Sequence, residues 1–241
     1  MSIAYGVKNP LKGGIVTDGL ILYLHPQLKD CWNGSSTSIT DLVAGQSCTA
    51  TDLTADADGN FVFNGSTSKI DTNNSYIDNG TAYTLSSTED DYTLEAWIYV
   101  ETSQGTTTDA DSIIGSTTSY GVGMQVGISA GSPRINFAAR STSNFYGTAF
   151  NYNQWYHVVW AHETGVDTTV YMNATVDVSP TSVSSYSIGG SSWGNITIGN
   201  SSARITGFYD GKMGPVRMYK RALTSSEVSQ NFNASKARYG L

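Results

Sequence analysis

From Gly19 to Leu223 the sequence offers one short strand-like run after another, and only the stretch that follows carries the start signals of a helix. The runs are rich in Leu, Ile, Val, Tyr and Trp. They end at Gly, Ser, Asn or Asp, the residues that turns between pleated strands require. Many short strands at this spacing, with one terminal helix, predict an all-β sandwich. Composition agrees where it bears on the point: 31 Ser, 28 Thr, 25 Gly and 15 Tyr in 241 residues favour strands and turns. The five prolines are scattered and make no linker, and one sandwich of this length buries enough apolar area to fold without staples.

Particular runs carry particular expectations. GLILYLHP, 19–26, is continuously apolar and reads as a buried strand. FVFNGSTSKIDT, 61–72, reads as two strands joined at Asn64-Gly65, as in a hairpin. YTLEAWIYV, 92–100, puts Tyr92, Leu94, Ala96, Ile98 and Val100 on one face and Trp97 and Tyr99 on the other, which predicts burial on both sides. WYHVVWAHE, 155–163, and TTVYMNATV, 168–176, are expected to pair around Gly165. Thr224, with Glu227 three residues on, makes a capping box and predicts a helix over 224–233. Residues 1–17, broken by Gly6, Pro10, Gly13 and Gly14, read as an arm ahead of a single domain, 18–241.

Charge narrows the partners. The net charge of −7 argues against nucleic acid, and no apolar run is long enough for a membrane-spanning helix. The opening MSIAYGVKNPLKGG lacks the apolar core of a signal peptide. Residues 1–200 hold 6 Lys+Arg against 18 Asp+Glu, whereas 201–241 hold 7 against 2. An acidic body with a basic C-terminal edge suits head-to-tail or particle docking, or else is a solvated surface. Cys31 and Cys48 lie 17 positions apart, with no further ligand at zinc spacing. They are expected as buried thiols, with a disulfide as the alternative.

The strings DGLILYL, FVFNGSTSKIDT, YTLEAWIYV, QWYHVVWAHE, VYMNATV, NITIGN and FYDGKMGPVRMYKRALTSSEV, in this order, resemble the concanavalin A-like lectin/glucanase superfamily in its laminin-G-like branch. The resemblance covers roughly residues 18–235 and implies a jelly-roll β-sandwich of two antiparallel sheets with a short C-terminal helix. The ends, GGIVTDGLILYL and EVSQNFNASKARYGL, resemble virion structural proteins of tailed phages, notably those of cyanophages. That resemblance implies a non-enzymatic protein on the particle exterior, a capsid decoration or a head or tail appendage. Its partners would be the major capsid protein, another virion protein or copies of itself. The alternative it leaves is a carbohydrate-binding adhesin that attaches the particle to host surface glycans.

The arm residues Ile3, Tyr5, Val7, Lys8, Leu11 and Lys12 are the candidates for docking, by pairing along a neighbour's exposed strand edge. Glycan binding needs rings for the sugar face and amides or carboxylates for hydroxyls, which nominates Tyr120, Phe145, Tyr146, Trp193 and Tyr209 in loop-like segments. Catalysis by a retaining glycosidase needs two carboxylates about 5 Å apart. Glu89, Asp91 and Glu95 share a strand face, but Glu89 and Glu95 would stand about 20 Å apart if extended, so no hydrolase is expected. His157, like His25 and His162, has no nucleophile motif beside it and reads as a packed histidine. Asp56, Asp58 and Asn60 resemble part of a calcium loop, although Asp58-Gly59 alone explains a turn; no cofactor is otherwise expected. Asn33, Asn64 and Asn195 stand in sequons that a chain this rich in Ser and Thr produces by chance.

Overall fold

The computed structural model describes residues 14–73, 77–78, 81–82, 91–102, 110–116, 123–129, 131–139, 143–163, 167–178, 196–200 and 207–241. The docking residues Ile3, Tyr5, Val7, Lys8, Leu11 and Lys12, the sugar candidates Tyr120 and Trp193, and Glu89 lie outside them.

The strands in chain order are β1 (Leu20–Leu24), β2 (Ser38–Thr40), β3 (Ser47–Thr51), β4 (Thr54–Ala55), β5 (Phe61–Asn64), β6 (Lys69–Asp71), β7 (Ile77–Asp78), β8 (Thr81–Ala82), β9 (Tyr92–Val100), β10 (Asp111–Ser116), β11 (Gly123–Ser129), β12 (Ser132–Ala139), β13 (Ser143–Ala149), β14 (Trp155–Glu163), β15 (Asp167–Met172), β16 (Thr175–Val178), β17 (Ile196–Ile198) and β18 (Asp210–Tyr219). The helix α1 (Ser225–Ser235) runs into a 3-10 turn, Lys236–Tyr239. One eight-stranded sheet has the order β16-β15-β14-β9-β18-β5-β4, with β1 also paired to β18; the second has the order β13-β12-β11-β10-β17-β6-β3-β2. All described pairings in both are antiparallel, giving the expected jelly-roll sandwich.

Alternation along the strands builds the core between the sheets. In the first sheet Val158 faces Ala96 and Trp160 faces Leu94. In the second, a row runs from Ile114 through Ile198 and Ile70 to Ala50. These side chains belong to one buried cluster. The second face of β9 is buried too, beneath α1 and the 3-10 turn, where the rings of Phe232 and Tyr239 lie on Trp97.

Three expectations change. FVFN and KID do not form a hairpin: β5 pairs in the first sheet and β6 in the second. Between them the Asn64 Oδ1 accepts the backbone N–H groups of Ser66, Thr67 and Ser68 at 2.9–3.1 Å, a side-chain-built turn that carries the chain across the sandwich. TTVYMNATV is two strands, because Asn173 and Ala174 take φ of 51° and 61°. Two successive left-handed residues make the tight turn that twisted hairpins prefer.

The arm also ends sooner than residue 17. Ile15 and Val16 are buried in the core. The Val16 N–H donates to Asn231 Oδ1 at 2.8 Å, and Gln230 Nε2 donates to the Gly14 carbonyl at 2.8 Å. Residues 14–17 are thus part of the body, tied down by α1.

The capping box forms as read, with the Thr224 hydroxyl accepting from the Glu227 N–H and Glu227 accepting from the Thr224 N–H. Arg221 grips the same carboxylate through two nitrogens at 2.6 and 2.9 Å. Cys31 and Cys48 are free and buried, and burial pushes the Cys31 thiol up to about 12.

Candidate functional site

The outer face of the first sheet carries a cluster of charged and aromatic side chains, and period-two geometry decides which side chains share it. Along β9 these are Thr93, Glu95, Trp97 and Tyr99. Opposite them on β14 stand Ala161, Val159, His157 and Trp155. On β18 stand Tyr219, Arg217 and, past a bulge at Gly214-Pro215, Lys212.

One half of this face is closed. Glu95, His157 and Arg217 are all buried. Glu95 Oε1 accepts from Arg217 Nη1 and lies 2.9 Å from His157 Nε2. Its Oε2 accepts from Asn231 Nδ2 at 2.7 Å, so α1 contributes to the cluster. Arg217 also lies over the Tyr23 ring at 5.0 Å. Burial alone would raise the Glu95 carboxyl, but the Arg217 charge, His157 and Asn231 hold it down at about 2. It is an ionised, saturated carboxylate with no exposed surface.

The other half is open. Trp155 and Tyr99 are only partly buried, with ring centroids 5.5 Å apart. Tyr239 stacks on Trp97 at 4.2 Å and meets Trp155 at 4.5 Å. A glycine at 214 makes room for it, since a Cβ there would stand 2.2 Å from the Tyr239 hydroxyl oxygen. Around these rings lie two grooves. One, of about 340 Å³, is lined by Asp58, Asn60, Trp155, Arg238 and Tyr239. The other, of about 370 Å³, adds Asn153, Gln154 and Asn173 beside Tyr99, Trp155 and Tyr239. Lys212 braces the rim, 3.7 Å from Asp56, 3.9 Å from Glu101 and 5.0 Å from the Tyr99 ring centre.

Several residues nominated from the sequence fall elsewhere. Tyr209 is not an exposed sugar platform: it is fully buried, edge-on to Phe63 at 5.7 Å, with its hydroxyl donating to the Lys212 carbonyl. The residues before β18 turn inward there, and burial raises its pKa well above the ordinary tyrosine value. Tyr146 is half-buried on β13, opposite Asn136 of the second sheet and away from the grooves.

The calcium-like loop is a turn closed on itself. Asp56 Oδ1 accepts from the N–H groups of Asp58 and Asn60, and its Oδ2 faces the Lys212 ammonium. Among the described residues no three His, Cys, Asp or Glu side chains are placed to hold a metal ion. Asp58 and Asn60 line the first groove instead. The sequence by itself does not single out Trp155, Tyr99, Arg238 and Tyr239. The available signal was Tyr99 on the second face of β9, with Trp155 opening its neighbour.

A family model of the laminin G type, described as the concanavalin A-like lectin/glucanases superfamily, matches residues 64–229. That span is more than half of the chain, and the protein belongs to this superfamily. A search of curated proteins found no match. Among solved structures the chain is similar to domain 4 of AbnA, a GH43 extracellular arabinanase from Geobacillus stearothermophilus, in complex with arabinotriose. The TM-score is 0.61 at 17% identity, over 90% or nearly so of each chain (88% and 97%). It is similar to Trypanosoma rangeli sialidase, with TM-score 0.63 and 14% identity, covering 90% of this chain and 33% of that one. It is also similar to botulinum neurotoxin type C, in a structure concerned with cell entry through two ganglioside molecules. There the TM-score is 0.58 at 13% identity, over 90% of this chain and 51% of the toxin chain. The chain thus spans about a third of the sialidase and about half of the toxin chain, and at these identities the likeness is one of fold.

Proposed function

We propose that this protein is a non-catalytic glycan-binding domain and that the grooves beside Trp155 are its binding site. The observation that carries the reading is the pair of half-buried rings Tyr99 and Trp155, backed by the buried Tyr239 and bordered by amides, a carboxylate and a guanidinium. Sugar rings present C–H faces that stack on aromatics and hydroxyls that bond planar polar groups. The fold likeness to an arabinanase domain in complex with arabinotriose and to a ganglioside-dependent toxin supports it.

Hydrolysis is disfavoured by the state of Glu95. A glycosidase carboxylate must touch the scissile bond, with a partner about 5 Å or more away. Glu95 is buried and held by Arg217, His157 and Asn231. The setting retained from the sequence is the exterior of a phage particle, where this domain would act as an adhesin for host surface glycans. Docking on capsid or other virion proteins, or on further copies, would fall to the arm.

The test is a glycan array probed with the intact chain and with Trp155→Ala. The expected result is binding to a restricted glycan set, at least tenfold weaker in the variant, with no release of reducing sugar. Equal signals from both proteins would contradict the site. Turnover would contradict the non-catalytic reading. The particle setting is tested separately by mass spectrometry of purified virions.

A further inference from the structure

Trp155 and Tyr239 line both grooves, so the two depressions adjoin at this pair, with Trp155 half-buried and Tyr239 buried. The pair is rigid. Tyr239 is pinned between Trp97 and Trp155 and seated over Gly214, and Trp155 is braced by Tyr99.

The two depressions differ in chemistry. One side holds Asp58 and Arg238, and neither side chain has an ion-pair partner among the described residues. The other side offers the amides of Asn153, Gln154 and Asn173, with no Asp, Glu, Lys or Arg in its lining. Each groove alone sits at the small end of the roughly 300–1,000 Å³ typical of small-molecule sites. A single sugar ring held in one groove leaves the polar groups of the other untouched.

Resting on the glycan-binding reading, we infer that the ligand is an oligosaccharide of at least two units that passes over Trp155, with one unit in the charged groove and the next in the amide groove. The charged side pairs a carboxylate acceptor with a guanidinium donor. It therefore suits a unit with adjacent hydroxyls that donate to one and accept from the other. The amide side has no charged side chain, can donate and accept, and tolerates a wider range of units. Specificity then resides mainly at Asp58 and Arg238, and affinity grows with chain length as the second groove fills.

The experiment is an array carrying mono- to hexasaccharide series of gluco-, xylo-, arabino-, galacto- and sialyl-glycans, read with the intact chain, Arg238→Ala and Gln154→Ala. In any series that binds, the trisaccharide is expected to bind at least tenfold more tightly than the monosaccharide. Both variants should weaken the trisaccharide, and only one of them should weaken the monosaccharide. A gain of less than tenfold, or a monosaccharide weakened by both variants, overturns the two-groove ligand and leaves glycan binding standing. Failure of every series to bind overturns glycan binding itself. Circular dichroism and the melting temperature of each variant show that it is folded.

Discussion

Glu95 and Tyr99 lie on the same strand and the same face, four residues apart, yet they end in opposite environments. Around Glu95 the face is roofed by α1, and each polar atom of the carboxylate has a partner. Around Tyr99 the roof thins to the 3-10 turn, and partly exposed rings border open grooves. The difference is set by where the C-terminal segment crosses the sheet. Asn231 and Phe232 lie over the closed half, and Tyr239 marks the border with the open one. A carboxylate on a jelly-roll strand is therefore no sign of catalysis by itself, since the overlying element decides whether it meets a substrate or a salt bridge.

The largest effect is expected at the closed half. Glu95→Ala strands the Arg217 charge in a buried site, and removing one partner of a buried pair costs about 3–5 kcal/mol. Urea unfolding should show it, and a loss below about 1 kcal/mol would break the contrast between the halves. Trp97→Ala, a fully buried ring under Phe232 and Tyr239, should cost about as much.

Acid titration probes the same half. The Glu95 carboxyl sits at about 2 in the folded protein against an ordinary 4.5. A depressed folded-state pKa gives stability that is complete above 4.5 and is lost as pH falls from there toward 2. Melting curves across that window should fall less steeply for Glu95→Gln than for the unaltered chain. Parallel curves would remove Glu95 from the acid response.

At the open half the pattern should invert. Trp155→Ala is expected to weaken glycan binding at least tenfold, about 1.4 kcal/mol, while costing far less stability than Trp97→Ala. A matching collapse of both variants would mean that Trp155 is a packing residue. The smallest effect is Thr224→Ala, which removes the cap of α1 and should cost about 1 kcal/mol by thermal or urea unfolding.

Much of the sandwich is legible in the strings themselves, because alternation and capping are local signals. The strand 92–100 buried on both faces and the Thr224–Glu227 box both follow from spacing alone. What is not legible depends on contacts distant in sequence. Asn64-Gly65 has the look of a hairpin, and only the pairing partners β18 and β6's neighbour β17 reveal that the chain changes sheets. The Ala174 turn has no residue signature, since alanine rarely takes positive φ.

The groove is not legible in the sequence for a related reason. Its rings come from β9, β14 and the last turn, 56 positions apart for Tyr99 and Trp155 and 84 for Trp155 and Tyr239. The flanks of Tyr209 look loop-like, whereas the fold sends it into the core.

The most direct test is a two-dimensional NMR titration of the five tryptophan indole N–H signals, assigned by single Trp→Phe variants, with the best-binding array glycan. The Trp155 indole is expected to show the largest shift, Trp160 and Trp32 to stay unmoved in the core, and the glycan to remain intact. A largest shift at Trp193 or at a core tryptophan, with Trp155 unchanged, would contradict the proposed site.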